Sequence, residues 1–251
     1  MEHWLECKNC GRLYSGNFCP QCGQSAHEKR IDARWLLHDV PHSVFHIDKG
    51  FFYTLKSLFT HPARMVKEYL EGKRVKYFRP FAYVVLMTTV SSLVVESLQT
   101  VTESVLLKKA PAVLVTHNES FFAHYFSLLI FMMIPLAALI TWLSFYTRKY
   151  NYWEHFLINT YLSAQLNLFL IIINLVTLIV ALFSNKLTDN GIGLIISFFM
   201  VGFLFLYGST FGGLMSRGRR GIVALSFIIT MMNLLLFFLY YIGLIVSGII
   251  H

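Results

Sequence analysis

Residues 155–184 read HFLINTYLSAQLNLFLIIINLVTLIVALFS, a run of thirty residues without Asp, Glu, Lys or Arg. A helix needs about 20 apolar residues to cross a hydrocarbon core of about 30 Å. The run is long enough for such a crossing. It predicts a transmembrane helix and indicates that the chain is a membrane protein.

Four further apolar runs of comparable length occur, at 81–102, 121–146, 191–215 and 221–250. With 155–184 they predict an all-α integral membrane bundle of five transmembrane helices over residues 81–251. If the N-terminus is inside, 18 Lys and Arg residues fall on the inner side of the membrane and 3 on the outer side. The positive-inside rule then predicts a cytosolic N-terminus and an outward C-terminus. The opening residues 1–4 do not resemble a secretory signal, which agrees with a cytosolic N-terminus.

The charged residues are concentrated at one end of the chain. The 251 residues include 21 Lys and Arg and 13 Asp and Glu, and 21 of these charged residues lie within the first 80 positions. So uneven a distribution, with such long apolar runs, excludes a single soluble domain and also excludes a disordered chain. The first 80 residues therefore form a polar part attached to a membrane part.

All four cysteines lie in two Cys-x-x-Cys pairs that are each followed by glycine, Cys7 with Cys10 and Cys19 with Cys22. Each pair presents two sulfurs to one ion, and the glycine permits the positive φ that brings backbone N–H groups near the thiolates. The cytosol keeps thiols reduced, which favours metal binding over disulfides. The spacing predicts a zinc ribbon over residues 1–27 with one structural zinc ion, since four protein ligands leave no position for water. Iron at a rubredoxin-like site is the alternative.

Residues 28–80 mix apolar and basic residues, and prolines and a glycine interrupt them. This pattern predicts two or three short amphipathic helices at the inner leaflet. Six basic residues near the first apolar run form what we call the basic collar: Arg64, Lys67, Lys73, Arg74, Lys76 and Arg79. Each is worth about 1 kcal/mol against an anionic lipid surface. Because the collar borders a predicted span, we expect it to bind lipid and not nucleic acid.

Three histidines recur at helical spacing, His38, His42 and His46. On one helix face they could bind a second metal ion or serve a membrane-surface enzyme. Pro41 interrupts a helix between the first two, so we favour packing at the lipid interface.

Polar residues share helix faces within the predicted spans. Those that could line an intramembrane path for an ion or solute are Glu96, Asn159, Asn167, Asn174 and Asn233. We favour hydrogen bonding between helices instead, because Glu96 alone is ionisable and lies near the outer end of its span.

Several segments within the first 85 residues resemble a known family. They are the first cysteine pair with its glycine, GNFCPQCGQ at 16–24, KR at 29–30, DKGF at 48–51, TLKSL at 54–58, and EYLEGKR with YFRP between 68 and 80. On these residues the chain resembles the uncharacterised bacterial membrane proteins of the domain of unknown function 3667. That resemblance implies a bacterial inner-membrane protein without an assigned activity. A weaker likeness to the five-span Yip family rests on the span count and on LFTHPAR at 58–64, and implies a membrane-organising role by analogy.

The sequence contains no Ser/His/Asp set, phosphate-binding loop, His-Glu-x-x-His motif or dinucleotide fingerprint. We therefore expect a non-enzymatic integral membrane protein, a scaffold or adaptor whose ribbon and basic collar contact a cytosolic protein or anionic lipid. The alternatives are a transporter or channel that uses the polar path, and a membrane-surface enzyme that uses the three histidines. Homo-oligomerisation stays open.

Overall fold

The computed structural model describes residues 4–28, 30–35, 50–109, 128–145, 149–183 and 189–214. In these residues the protein is mostly helical, as expected, with one small sheet. The strands are β1 (Leu5–Glu6) and β2 (Leu13–Tyr14). The helices are α1 (Gly50–Thr60), α2 (Pro62–Leu70), α3 (Pro80–Lys109), α4 (Ile134–Ser144), α5 (Tyr152–Phe183) and α6 (Asp189–Leu214).

Residues 4–28 form a small unit that we call the cysteine module. Strands β1 and β2 pair antiparallel, and a single antiparallel bridge joins Phe18 to Ser25. Each of these two short hairpins encloses one Cys-x-x-Cys turn. The module has a small core of its own, which contains Cys7, Tyr14 and Cys19.

Helices α1 and α2 precede a sharp turn of the chain, the α2–α3 linker (residues 71–79). Gly72 has a φ of +103°, a left-handed conformation that glycine adopts without a steric penalty. Around it, the Gly72 N–H donates to the Tyr69 carbonyl at 3.1 Å and the Lys73 N–H donates to the Glu68 carbonyl at 2.9 Å. These two bonds form a Schellman motif, which ends α2 and directs the chain into the linker.

Helix α5 lies at the centre of the bundle and packs against α3, α4 and α6. Helix α3 runs parallel to α5, as its later residues contact later residues of α5. Helix α6 runs antiparallel to α5, as its later residues contact earlier residues of α5. The contacts that show these directions are Tyr83 with Gln165 and Thr88 with Asn167 for α3, and Tyr207 with Asn159 and Phe203 with Phe169 for α6.

Protein surrounds the first half of α5, whereas the second half is exposed. Of the thirteen buried residues of α5, eleven lie between Glu154 and Asn167. Beyond Asn167 the bundle presents large apolar side chains on three helices: Leu175, Ile179, Leu182 and Phe183 on α5, Leu93 and Val101 on α3, and Phe198 and Val201 on α6. Exposed apolar surface of this extent is typical of contact with a membrane or a partner.

Among the described residues, two helices are long and apolar enough to cross a membrane, Pro80–Leu106 within α3 and the whole of α5. The described residues do not support the five spans expected from the sequence. Helix α4 has 11 residues and begins at Ile134, since Pro135 lacks the N–H that would continue the hydrogen-bond ladder from the helical residues 128–132. Residues 121–127 and 146 of the predicted span 121–146 lie outside the described residues. The apolar part of α6, Phe198–Leu214, is also shorter than about 20 residues. The predicted span 221–250 lies outside the described residues.

Candidate functional site

The four cysteines lie together in the cysteine module as free thiols. The Sγ atoms of Cys7 and Cys22 are 3.5 Å apart, and those of Cys10 and Cys19 are 3.6 Å apart. All four sulfurs lie within 4.8 Å of one another. A tetrahedral ion with metal–sulfur bonds of about 2.3 Å requires sulfur–sulfur distances of about 3.8 Å. The four thiols could therefore hold a single metal ion.

The two Cys-x-x-Cys turns have the same backbone geometry. The Gly11 N–H donates to the Cys7 carbonyl at 2.8 Å, and the Gly23 N–H donates to the Cys19 carbonyl at 2.8 Å. Gly11 and Gly23 have φ values of +76° and +74°, where a side chain would strain the backbone. The glycine after each pair therefore allows each turn to close around its two sulfurs.

The surroundings of Cys19 favour its thiolate. Burial opposes ionisation, but hydrogen bonds from the backbone N–H groups of Cys22 and Gln21 outweigh it and lower the pKa of Cys19 to about 6. The thiolate is the form of cysteine that binds metal ions. Cys19 can therefore supply a charged sulfur ligand near neutral pH.

The cysteine module is anchored to the α2–α3 linker. The backbone N–H of Arg74 donates to Gln24 Oε1 at 3.3 Å, and its guanidinium forms an ion pair with Glu28. Lys8 Nζ donates to the Glu28 carbonyl at 3.2 Å, and a Cβ on Gly72 would come within 3.0 Å of Lys8 Cδ. Lys8 lies inside the first cysteine pair and Gln24 follows the second. Both Cys-x-x-Cys turns therefore lie close to this linker.

Two aromatic rings also hold Arg74. Its guanidinium carbon lies 4.6 Å from the centroid of the Trp35 ring and 5.6 Å from that of Tyr69. Arg74 is only 9% exposed. A charge removed from water to this degree needs a partner, and the Glu28 carboxylate provides it.

A second anchor joins the segment after the module to the start of α5. Arg30 donates to both carboxylate oxygens of Glu154, from Nε at 2.8 Å and from Nη2 at 2.7 Å. Asn151 Nδ2 donates to the Ile31 carbonyl at 3.0 Å. Asn151 and Glu154 also accept each other's backbone N–H groups, at 2.9 and 2.7 Å, which makes a capping box for α5. One carboxylate thus serves both the helix cap and the anchor.

The basic collar expected to bind lipid is divided in the structure. Arg74 is buried, and Lys76 forms an ion pair with Glu68. Lys73 lies 4.0 Å from the same carboxylate. The linker folds against the cysteine module, so its central basic residues turn inward. The exposed members of the collar are Arg64, Lys67 and Arg79.

Among the path candidates, Asn159 joins three helices at the buried centre of the bundle. Its Nδ2 donates to Thr141 Oγ1 on α4 at 2.9 Å, and its Oδ1 accepts from the Tyr207 hydroxyl on α6 at 2.8 Å. His155 Nδ1 lies 3.2 Å from the same Thr141 Oγ1. These contacts are of the kind expected from polar residues that connect helices.

The other path candidates have different surroundings. Asn167 is buried and donates to Thr88 on α3 at 3.3 Å. Asn174 donates to the Leu170 carbonyl of its own helix at 2.9 Å, and Glu96 is exposed on α3. Four candidate residues lie outside the described residues: Asn233, His38, His42 and His46.

The fold and the site define a mostly helical protein with membrane-length apolar helices and a four-cysteine module. A family model described as a protein of unknown function (DUF3667) matches residues 48–91. The match covers α1, α2, the α2–α3 linker and the first part of α3, so the family resemblance is supported over this segment, which begins after the cysteine module. No curated protein and no solved structure matches the chain.

The matched segment contains a clamp on the α2–α3 linker. Thr54 is fully buried, and its hydroxyl accepts the Phe78 N–H at 2.7 Å. One helical turn earlier, a Cβ on Gly50 would lie 3.1 Å from the backbone of residues 76–78. Tyr161 of α5 donates to the Phe78 carbonyl at 2.7 Å. Both backbone groups of Phe78 are thus bonded, which fixes the linker immediately before α3.

Sequence reasoning missed the residues that anchor the module, which are Gln24, Glu28, Arg30, Trp35 and Glu154. A local signal existed for Glu154, because Asn-x-x-Glu before an apolar run is a capping-box pattern. The ion pair of Arg30 joins positions 124 residues apart, and that of Glu28 with Arg74 joins positions 46 apart. No local pattern indicates such pairs.

Proposed function

We propose that this protein is a non-enzymatic adaptor of the bacterial inner membrane, which presents a zinc-bound module to a cytosolic partner. The observation that carries the proposal is the double anchoring of the cysteine module region, through Arg74 to the linker and through Arg30 to α5. A module attached at both sites keeps a constant position relative to the helices. This suits a docking platform fixed to a membrane bundle.

The proposed bundle crosses the membrane five times, with the N-terminus in the cytosol and the C-terminus outside. The opposite directions of α5 and α6 support repeated crossing, and so does the exposed apolar surface beyond Asn167. The run 221–250 would supply the fifth span. A reporter enzyme active only outside the cytoplasm should be active when fused after residue 251 and inactive when fused after residue 149. The reverse pattern would contradict this topology.

The proposed ion is zinc. Four cysteine ligands in a tetrahedron are typical of structural zinc sites, and bound zinc would cross-link the two turns of the module. Elemental analysis of the purified protein should give one zinc per chain, which is lost in Cys19→Ser. The zinc should remain when His38, His42 and His46 are replaced together. Iron in place of zinc, or zinc that persists in Cys19→Ser, would contradict the assignment.

The proposed partner surface consists of the exposed large apolar residues of the cysteine module. Trp4, Leu13 and Phe18 are each between 61% and 66% exposed. Large apolar side chains in such exposure are typical of protein docking sites. Replacing all three by serine should leave the zinc content unchanged and remove the proteins that co-purify with the wild type. Gln21→Ser, also exposed on the module, is the matched control. If the triple variant retains the same proteins, the adaptor proposal is wrong.

A transporter or channel is the second candidate, favoured by polar atoms at the centre of the bundle. Asn167 Oδ1 and His155 Nε2 are buried and have no hydrogen-bond partner among the described residues. Such atoms are costly to bury, and water or a polar solute would satisfy them. The protein in liposomes should then pass ions or small solutes, and Asn167→Leu should change the flux. An absence of flux across a broad panel of solutes would exclude this candidate.

A further inference from the structure

We propose that the outer face of α1 is a membrane-insertion surface, which places Phe52, Tyr53 and Phe59 at the boundary of lipid headgroups and acyl chains. Lys56 lies on the same face, at the level of the lipid phosphates. This inference rests on the proposed membrane embedding of the bundle. It assigns lipid contact to residues of α1, whereas the sequence analysis assigned it to the basic collar.

Among the described residues, one face of α1 packs against the rest of the protein and the opposite face is largely exposed. Thr54 and Leu58 are fully buried. Phe52 is 77% exposed, and Tyr53 and Phe59 are 48% and 41% exposed. Burial of an aromatic side chain removes about 150–250 Å² from water, so three exposed rings on an 11-residue helix leave a large apolar area uncovered.

The charge of this surface fits an anionic bilayer. Helix α1 has the sequence GFFYTLKSLFT, without an acidic residue, and Lys56 is exposed one turn after Phe52. Arg64 is exposed on the adjoining α2, and Lys67, also exposed there, forms an ion pair with Glu71 at 3.8 Å. A lysine stem can lie along apolar surface while its ammonium group reaches a phosphate. Aromatic rings next to basic groups are typical of the membrane–water interface.

The position of α1 along the bundle favours lipid over a cytosolic protein as the occupant of this face. The Phe59 ring lies 5.9 Å from the ring of Phe169, two residues beyond Asn167, where the buried half of α5 ends. The anchor at Glu154 lies about 22 Å away along α5, at about 1.5 Å per residue. Helix α1 therefore reaches the start of the exposed half of α5. Its outer face is continuous with that exposed half.

Photo-crosslinking in a bilayer tests the proposal directly. Benzoylphenylalanine replaces Phe52 in the full-length protein, which is reconstituted in vesicles of phosphatidylethanolamine and phosphatidylglycerol. Two matched aromatic positions are the controls: Phe183, 88% exposed at the end of α5, and Phe18 of the cysteine module. After illumination, mass spectrometry should find lipid adducts at positions 52 and 183, several-fold above those at position 18.

Three other outcomes of this experiment would each contradict one claim. Adducts at position 183 but not at position 52 would overturn the α1 proposal and leave the membrane embedding in place. An absence of lipid adducts at position 183 would contradict the embedding itself. Adducts at position 18 equal to those at position 52 would show that lipid contact does not select α1.

A second substitution tests whether the charge of Lys56 contributes to lipid contact at position 52. Lys56→Glu should lower the adduct yield at position 52 several-fold in vesicles that contain phosphatidylglycerol, and leave it unchanged in phosphatidylcholine alone. An equal yield with and without the Lys56→Glu substitution in the anionic vesicles would overturn the assigned charge complementarity.

Discussion

Arg74 is the residue on which the cysteine module, the linker and Trp35 converge. Its guanidinium pairs with Glu28 and lies against the rings of Trp35 and Tyr69. Arg74→Met removes the ion pair and leaves the Glu28 carboxylate, which is half-buried, without that partner. We expect the free energy of unfolding to fall by about 2–3 kcal/mol.

Thermal unfolding of the detergent-solubilised protein measures this loss. Arg64→Met is the matched control, since Arg64 is exposed on α2 and its removal should change stability by less than about 0.5 kcal/mol. Equal effects of the two substitutions would show that Arg74 is not the anchor described.

Gly213 allows α6 to approach α2. A Cβ at this position would lie 2.3 Å from the Cβ of Ala63, closer than two non-bonded carbon atoms can come. Gly213→Ala should therefore force the helices apart and destabilise the protein by about 1–3 kcal/mol. The thermal unfolding midpoint reports the change.

The neighbouring glycine is an internal control for this prediction. A Cβ on Gly212 would meet nothing within 4 Å, so Gly212→Ala should not destabilise the protein. Ala63→Gly should restore much of the stability lost in Gly213→Ala. If the variant with both Gly213→Ala and Ala63→Gly is no more stable than Gly213→Ala alone, the contact between positions 63 and 213 does not limit how closely α2 and α6 pack.

At the scale of elements, the α2–α3 linker depends on the carboxylate of Glu68. The hydrogen bond from Lys76, followed by that from the Tyr77 hydroxyl, holds the pKa of Glu68 below its ordinary value. Since the folded-state pKa is the lower one, the stabilisation is complete above the ordinary value of about 4.5. It is lost as the pH falls from there through the folded-state pKa.

The unfolding midpoint of the wild type, followed from neutral pH to below 4.5, should therefore fall more steeply than that of Glu68→Gln. Glutamine cannot titrate, so the difference between the two curves isolates this carboxylate. Parallel curves would contradict its assigned part in the linker.

The elements that sequence reasoning predicted well are those specified by local patterns. The continuous apolar runs gave α3 and α5, and the two Cys-x-x-Cys-Gly turns gave the metal-binding geometry. The break at Met133 was not predicted, because hydropathy does not register the missing N–H of Pro135. The inward turn of Arg74 was also missed, since a basic residue beside a span has the same local pattern whether it faces lipid or Glu28.

The whole molecule combines a wrapped half and an exposed apolar half along α5. The wrapped half includes the start of α5, where Arg30 binds Glu154, and the linker, where Arg74 binds Glu28. The exposed half carries apolar side chains on α3, α5 and α6. In the proposed function the exposed half lies in the membrane, and the wrapped half connects it to the cysteine module. The polar residue Asn159 then acts inside the wrapped half, as a connection between helices.

The central claim is that the cysteine module is fixed to the helical bundle through the α2–α3 linker, in a position that the proposed metal ion stabilises. Hydrogen–deuterium exchange of residues 71–79, before and after chelation of the metal in the intact protein, tests this claim most directly. We predict faster exchange in the linker and at the start of α5 after chelation, with no change in the second half of α5. Unchanged exchange in the linker, with the metal removed, would contradict the account.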